Sequence, residues 1–225
     1  MIQHTFNPIS PHVYWLSPDS TTDRPTLGVV AGSRGSLLVD AGNSVAHAHV
    51  LLHEIERRNL ATPKFLMLTH WHWDHVFGAT ALWLPAFAYI ETQRVVRVMA
   101  QLDWGDAALD QRVADGIEIA FCHDMLKAEL PDRSNLVIRP PDIAFDARVE
   151  IDLGGVTCHI AHVGGDHAPD ASIVYIPEDK IMFVSDCLGD DLYHGPRRCT
   201  TTNLFALLDR LLAYDVAYYL DGHSP

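Results

Sequence analysis

The sequence predicts an α/β fold in which helices cover layered β-sheet, and three observations carry that expectation. Short apolar, β-rich runs closed by Gly or by polar turns recur from Gly35 onward. An amphipathic stretch separates the first two of these runs, which gives the strand, helix, strand order of a βαβ layer. The 225 residues, 48% hydrophobic and 20% charged, suffice for one sizeable core, so residues 1–225 are expected to form a single domain.

In chain order, GSLLVDAG from Gly35 to Gly42 reads as a buried strand ending at a turn, with Asp40 near its end. Residues 45–59 carry apolar side chains at helical spacing and polar ones between, the pattern of a helix lying on a sheet. After Pro63, KFLML is a second buried strand that runs directly into THWHWDH. Residues 91–135 change character: helical patterns broken at Gly105, Gly116 and Pro131 predict a helical insertion over the sheet edge. Met99, Trp104, Met125 and Leu126 make that insertion either a lid over an apolar substrate or a surface cover.

From Arg148 the chain returns to strands. VEIDLGG and VTCHIAHV form a hairpin about Gly154 and Gly155, and SIVYI and KIMFVSD a second one joined by Pro177, Glu178 and Asp179. Thr201 and Thr202 offer an N-cap for a helix through about Ala213, and VAYYLDGH is a last strand ending at His223.

Acidic residues outnumber basic ones 29 to 16, a formal charge of −13, and a field of that sign repels phosphate backbones and anionic membrane surfaces. No nucleic-acid or membrane partner is expected. The start MIQHTFNPIS lacks a basic region followed by an apolar run, which points to a cytoplasmic protein. Four scattered cysteines with no CxxC pair predict reduced thiols. The 14 histidines are the informative excess, because many stand beside carboxylates and glycines.

The densest cluster is His70, His72, Asp74 and His75, placed just after a buried strand. Burying four such groups without partners would cost roughly 1 to 3 kcal/mol for each one left unsatisfied. Coordination of a cation removes that cost. Imidazole with carboxylate suits zinc best, and iron or manganese fit the same donors.

This HxHxDH run resembles the signature of the metallo-β-lactamase fold superfamily, and the other landmarks of that family follow in order. GSLLVDAG resembles the early strand whose Asp, here Asp40, supports the metal loop from behind. Gly165-Asp166-His167-Ala168-Pro169-Asp170 resembles the third-histidine motif, SIVYIPEDKIMFVSDC the hairpin ending in a bridging Asp, here Asp186, and Asp221-Gly222-His223 the terminal GH motif. The resemblance implies a four-layer αββα sandwich with the site along the sheet edges. It further implies one metal on His70, His72 and His167, a second on Asp74, His75 and His223, and Asp186 between them.

Gly164-Gly165-Asp166 stands where the family pattern has Pro-Gly, so His162 is the alternative to His167. The spacing of five residues to Ser172 favours His167. Ser185 replaces the usual Gly before the bridging Asp. Asp40 and Thr69 are candidates to orient the ligating rings, and His194 with Tyr193 stands in the loop after Asp186 that faces the site in this family.

What the resemblance implies about activity is a hydrolase with two divalent metal ions, most readily zinc. A hydroxide shared by the metals would attack a small carbonyl substrate such as a thioester, lactone or β-lactam, and Asp74 would orient it as the candidate catalytic residue. An iron-dependent oxidoreductase of the same fold and a phosphodiester hydrolase are the alternatives. The partner is a small molecule, with homodimerisation left open. A ligand at His223, two residues from the end, calls for further chain or a clamping contact to hold it.

Overall fold

A computed structural model describes residues 4–224. Four strands, β1 (Phe6–Pro8), β2 (Val13–Leu16), β3 (Leu27–Gly32) and β4 (Gly35–Val39), pair antiparallel in succession. Helix α1 (Val45–Arg57) then crosses over to β5 (Pro63–Leu68), which lies parallel to β4. Its first turn is capped by Ser44, whose hydroxyl accepts the His47 N–H at 3.0 Å.

Two one-turn helices, α2 (Trp73–Val76) and α3 (Ala79–Leu82), lead to β6 (Ala86–Tyr89). The predicted helical insertion follows as α4 (Ile90–Met99), α5 (Asp106–Ala114) and α6 (Ala120–Glu129), after which β7 (Ile143–Phe145) closes a seven-stranded sheet in the order β1-β2-β3-β4-β5-β6-β7. The remaining strands are β8 (Arg148–Asp152), β9 (Thr157–His162), β10 (Ser172–Ile176) and β11 (Ile181–Ser185), and after α7 (Thr201–Leu212) comes β12 (Tyr218–Asp221). They form a second sheet ordered β12-β11-β10-β9-β8, whose β12 lies parallel to β11.

Alternation along the strands builds the layers. Leu37 and Val39 of β4 and Met67 of β5 face the second sheet, where Ile160, Val174, Ile176 and Phe183 meet them. The alternate residues Leu38, Leu66 and Leu68 face outward against Leu51 and Ile55 of α1, Val96 of α4 and Leu126 of α6. On the far side, Ile173, Met182 and Val184 pack on Leu207 and Leu211 of α7. Helix, sheet, sheet and helix therefore stack as four layers, and β4, β5's last half, β10 and β11 are buried on both faces.

Of the insertion residues left open between a lid and a surface cover, Met99, Trp104 and Leu126 pack into the core beneath the insertion. One expectation needs correcting. The N-cap position of α7 is Thr200, not Thr201 or Thr202, because Asp166 takes the Thr200 N–H and hydroxyl and fixes the chain one residue earlier.

Candidate metal centre

Strand β5 carries the chain through the core and releases it at Thr69, so the next six residues turn across the ends of both sheets. His72 takes the N-cap position of α2, which places Asp74 and His75 in its single turn. β11 ends at Ser185 and delivers Asp186 beside them, while β12 delivers His223. One donor atom from each of His70, His72 and His167 lies within 4.8 Å of the others, and the same holds for Asp74, His75, Asp186 and His223. All seven residues singled out by sequence thus meet at one place.

Asp186 joins the two groups. Its Oδ2 is 3.4 Å from His75 Nε2, 3.4 Å from His167 Nε2 and 3.2 Å from His223 Nε2. Asp74 Oδ2 sits 3.0 Å from His75 Nε2 and 3.2 Å from His223 Nε2.

The opposite ring nitrogens are tied to fixed acceptors. His75 Nδ1–H donates to Asp40 Oδ2 at 2.8 Å, and His167 Nδ1–H to the Asp190 carbonyl at 3.0 Å. Because the Thr69 hydroxyl gives its own proton to Asp40, it accepts from His70 Nδ1–H at 3.1 Å. In His70 and His167 these bonds hold the Nδ1–H tautomer and leave the Nε2 lone pair facing the centre. Nε2 of His70, His72 and His167 and Oδ1 of Asp186 are buried with no hydrogen-bond partner. So many orphaned acceptors converging on one point fit a bound cation.

The charges in the metal-free site follow from burial and from these neighbours. Burial, and then the nearby rings, hold His70 well below the ordinary imidazole value and take His72 down to about 3. Burial alone would raise the Asp74 and Asp186 carboxyls. The charge of His75 and hydrogen bonds from His223 and His75 outweigh it, keeping both well below the usual carboxylate range.

Ser185 explains itself here. Its φ of 46° is the left-handed region that glycine adopts freely, and a Ser there costs on the order of 1 kcal/mol. Its hydroxyl offsets this by donating to Asp40 Oδ2 at 3.2 Å. Gly222 is required for a different reason, since a Cβ would fall inside the Asp186 carboxylate.

Of the other residues named from sequence, His162 stacks on Tyr89 with ring centres 3.8 Å apart and bonds the Pro169 carbonyl, away from both donor groups. The His194 ring is turned to solvent and bonds Asp191, whereas Tyr193 packs on Trp71 and His72 at the rim. Cys187 is buried, and burial pushes its thiol up to about 12.

Sequence reasoning missed two contributors. Asp170 is buried and accepts the Trp71 N–H at 3.0 Å and the Thr92 hydroxyl at 2.7 Å, pinning the histidine loop from the side opposite Asp40. Asp23, between β2 and β3, places Oδ1 at 3.5 Å from His223 Nδ1. Burial, then the Asp74 charge, pushes its carboxyl up to about 7. Nothing in the run TTDRP marks its left-handed turn, φ 58°, or its approach to His223.

The model of the metallo-beta-lactamase superfamily matches residues 22–223. The chain belongs to that superfamily. Among solved structures it is similar to a metallo-beta-lactamase from Pontibacter korlensis, with 21% identity, TM-score 0.69, and 99% of this chain and 92% of that one covered. The DIM-1 metallo-beta-lactamase gives 15% identity and TM-score 0.68 over 100% of this chain and 91% of the other. A double mutant of the sec-alkyl sulfatase PisA1 gives 15% identity and TM-score 0.71, covering 98% of this chain but 38% of that larger one. At these identities the likeness establishes the fold alone. The His and Asp groups suited to divalent metal are this chain's own.

Proposed function

We propose that this metallo-beta-lactamase superfamily member is a hydrolase of a small carbonyl compound, working with two divalent cations, zinc before iron or manganese. The observation that carries the proposal is the position of Asp186, one carboxylate within reach of His167 on one side and of His75 and His223 on the other. His70, His72 and His167 would hold one ion, Asp74, His75 and His223 the other, and Asp186 both. Such a pair supplies a water made acidic enough to ionise near neutral pH and an electrophile for a carbonyl oxygen.

The residues themselves do the rest. Asp40, Thr69 and the Asp190 carbonyl keep the rings oriented, and the ionised Asp74 is an acceptor for a proton of water held at the cleft floor. A side-chain nucleophile is disfavoured. Cys122, which lines the cleft, is buried, which pushes its ionisation far up, and Tyr193 O–H occupies its sulfur at 3.5 Å. No helix among the described residues is long and apolar enough to cross a membrane, and four unpaired cysteines support a reducing, cytoplasmic setting.

The test is turnover by zinc-, manganese- and iron-loaded protein of a thioester, a lactone, a chromogenic β-lactam and a phosphodiester. Hydrolysis of a carbonyl substrate that disappears on chelation supports the reading. Turnover confined to the phosphodiester, or a coloured iron protein with redox activity alone, would replace it.

A further inference from the structure

The space above the donor groups has a composition that limits what can fill it. A cleft of about 280 Å³ opens from the floor made by His72, Asp74, Asp186 and His223 toward solvent. Apart from Ser20 and Asp23 its wall is apolar and comes from three separate parts of the chain: Pro18 after β2, Phe121 and Cys122 from α6, and Leu192 and Tyr193 from the loop after β11. Phe121 keeps 52% of its surface exposed, an unusual state for a ring that could turn inward, and it stands at the cleft mouth.

No Lys or Arg is among the residues that line this cleft. Arg197 faces the neighbouring groove and is taken by Asp190, and Arg198 lies against Asp191. Among the carboxylates, Asp23 faces the wall itself. An anionic group on a substrate's arm, above the floor where the cations would sit, would therefore find no Lys or Arg in this wall and Asp23 for a neighbour.

We propose that the cleft binds a neutral carbonyl substrate carrying a short aliphatic arm, with Phe121 and Leu192 setting the arm's length, and that it discriminates against substrates with an anionic arm. This rests on the metallo-hydrolase reading above and narrows it to neutral lactones and esters. A cleft of about 280 Å³ lies at the small end of ligand sites, which suits a reacting head with a short arm of a few carbons.

Hydroxamates with one common metal-binding head and different arms test the cleft without needing turnover. Binding of acetohydroxamate, hexanoyl hydroxamate and the carboxylate-ended adipoyl monohydroxamate to zinc-loaded protein is measured by calorimetry. Hexanoyl hydroxamate is expected to bind at least ~10-fold tighter than acetohydroxamate, in line with burial of several methylenes, and the adipoyl compound no tighter than the acetyl one. Phe121→Ala should shrink the hexanoyl-to-acetyl ratio to within about threefold, and since Phe121 is half exposed its removal leaves the core intact. Leu192→Arg should reverse the preference in favour of the adipoyl arm. Equal binding of the neutral and anionic arms, or a ratio indifferent to Phe121, overturns the inference and leaves the hydrolase reading standing. Failure of all three to bind overturns both.

Discussion

The Asp40 carboxylate accepts His75 Nδ1–H on Oδ2 at 2.8 Å and the Thr69 backbone N–H on Oδ1, also at 2.8 Å. One buried side chain at the end of β4 thereby fixes a ring of the second donor group and the start of the loop that carries the first. Asp40 itself sits at φ 62°, a conformation Asn and Asp tolerate far better than other side chains. Asp40→Asn keeps the backbone but removes the charge that holds His75. Cation affinity at the second donor group is expected to fall about 10- to 100-fold, with a smaller loss at the first, as read by competition against a chromophoric chelator.

The two histidines left open by the sequence separate cleanly on substitution. His167→Ala removes one of three rings around the first position and should lower bound metal, as should His72→Ala and Asp186→Ala, with turnover abolished. His162→Ala breaks only a stacking contact with Tyr89 and one bond to a carbonyl, so metal content should stay at the parent level. Metal content by plasma mass spectrometry distinguishes them, and an equal loss in His162→Ala would reassign the ligand.

Loading of the two positions should differ in pH dependence. In the metal-free protein burial works against the charged form of His223 and His75. The carboxylates of Asp186 and Asp74 prevail, raising His223 to about 11 and His75 well above its ordinary value. Both rings hold protons at neutral pH that an entering cation must displace, so affinity there rises with pH. His70 and His72 are held neutral and have no proton to release. Zinc titrations at about pH 6 and about pH 8 should show one step nearly unchanged and the other tightening by more than ~10-fold at the higher pH. Two steps that shift together would contradict this order.

Much of the site and part of the fold could be read from the sequence, for identifiable reasons. β4, the last half of β5, β10 and β11 are buried on both faces and therefore appear as largely apolar runs, and the two hairpins announce themselves by Gly154-Gly155 and Pro177-Glu178-Asp179. β2 and β6 gave no such signal, since VYWL and AFAY each mix buried with half-exposed positions and are only four residues long. Local spacing located His70 to His75. Asp23 is brought to the rim by a loop, and no local pattern records where a loop ends up.

The loop bearing Asp23 is anchored from the helical insertion. Glu129 at the end of α6 pairs with Arg24 at 2.8 Å, both side chains under a tenth exposed, and accepts the hydroxyls of Thr22 and Ser44. Arg24→Ala leaves that carboxylate buried without its partner and should cost about 3 to 5 kcal/mol by denaturant unfolding. Arg24→Met combined with Glu129→Leu should recover a good part of the loss. If the double variant is no better than the single one, packing rather than charge holds the anchor.

Asp23 gives a subtler outcome. Asp23→Asn preserves the left-handed turn and withdraws the carboxylate facing His223 Nδ1, 3.5 Å away. Affinity at the second position should drop by about 10-fold while the first is unaffected, a difference that isothermal titration resolves.

The most direct measurement is the number and place of bound ions. Crystals of zinc-loaded protein, with diffraction recorded on either side of the zinc absorption edge, should show two anomalous peaks of comparable height. One is expected among His70, His72 and His167, the other among Asp74, His75 and His223, with Asp186 reaching both. No peak there, or zinc bound elsewhere while these seven side chains stay unliganded, would contradict the account.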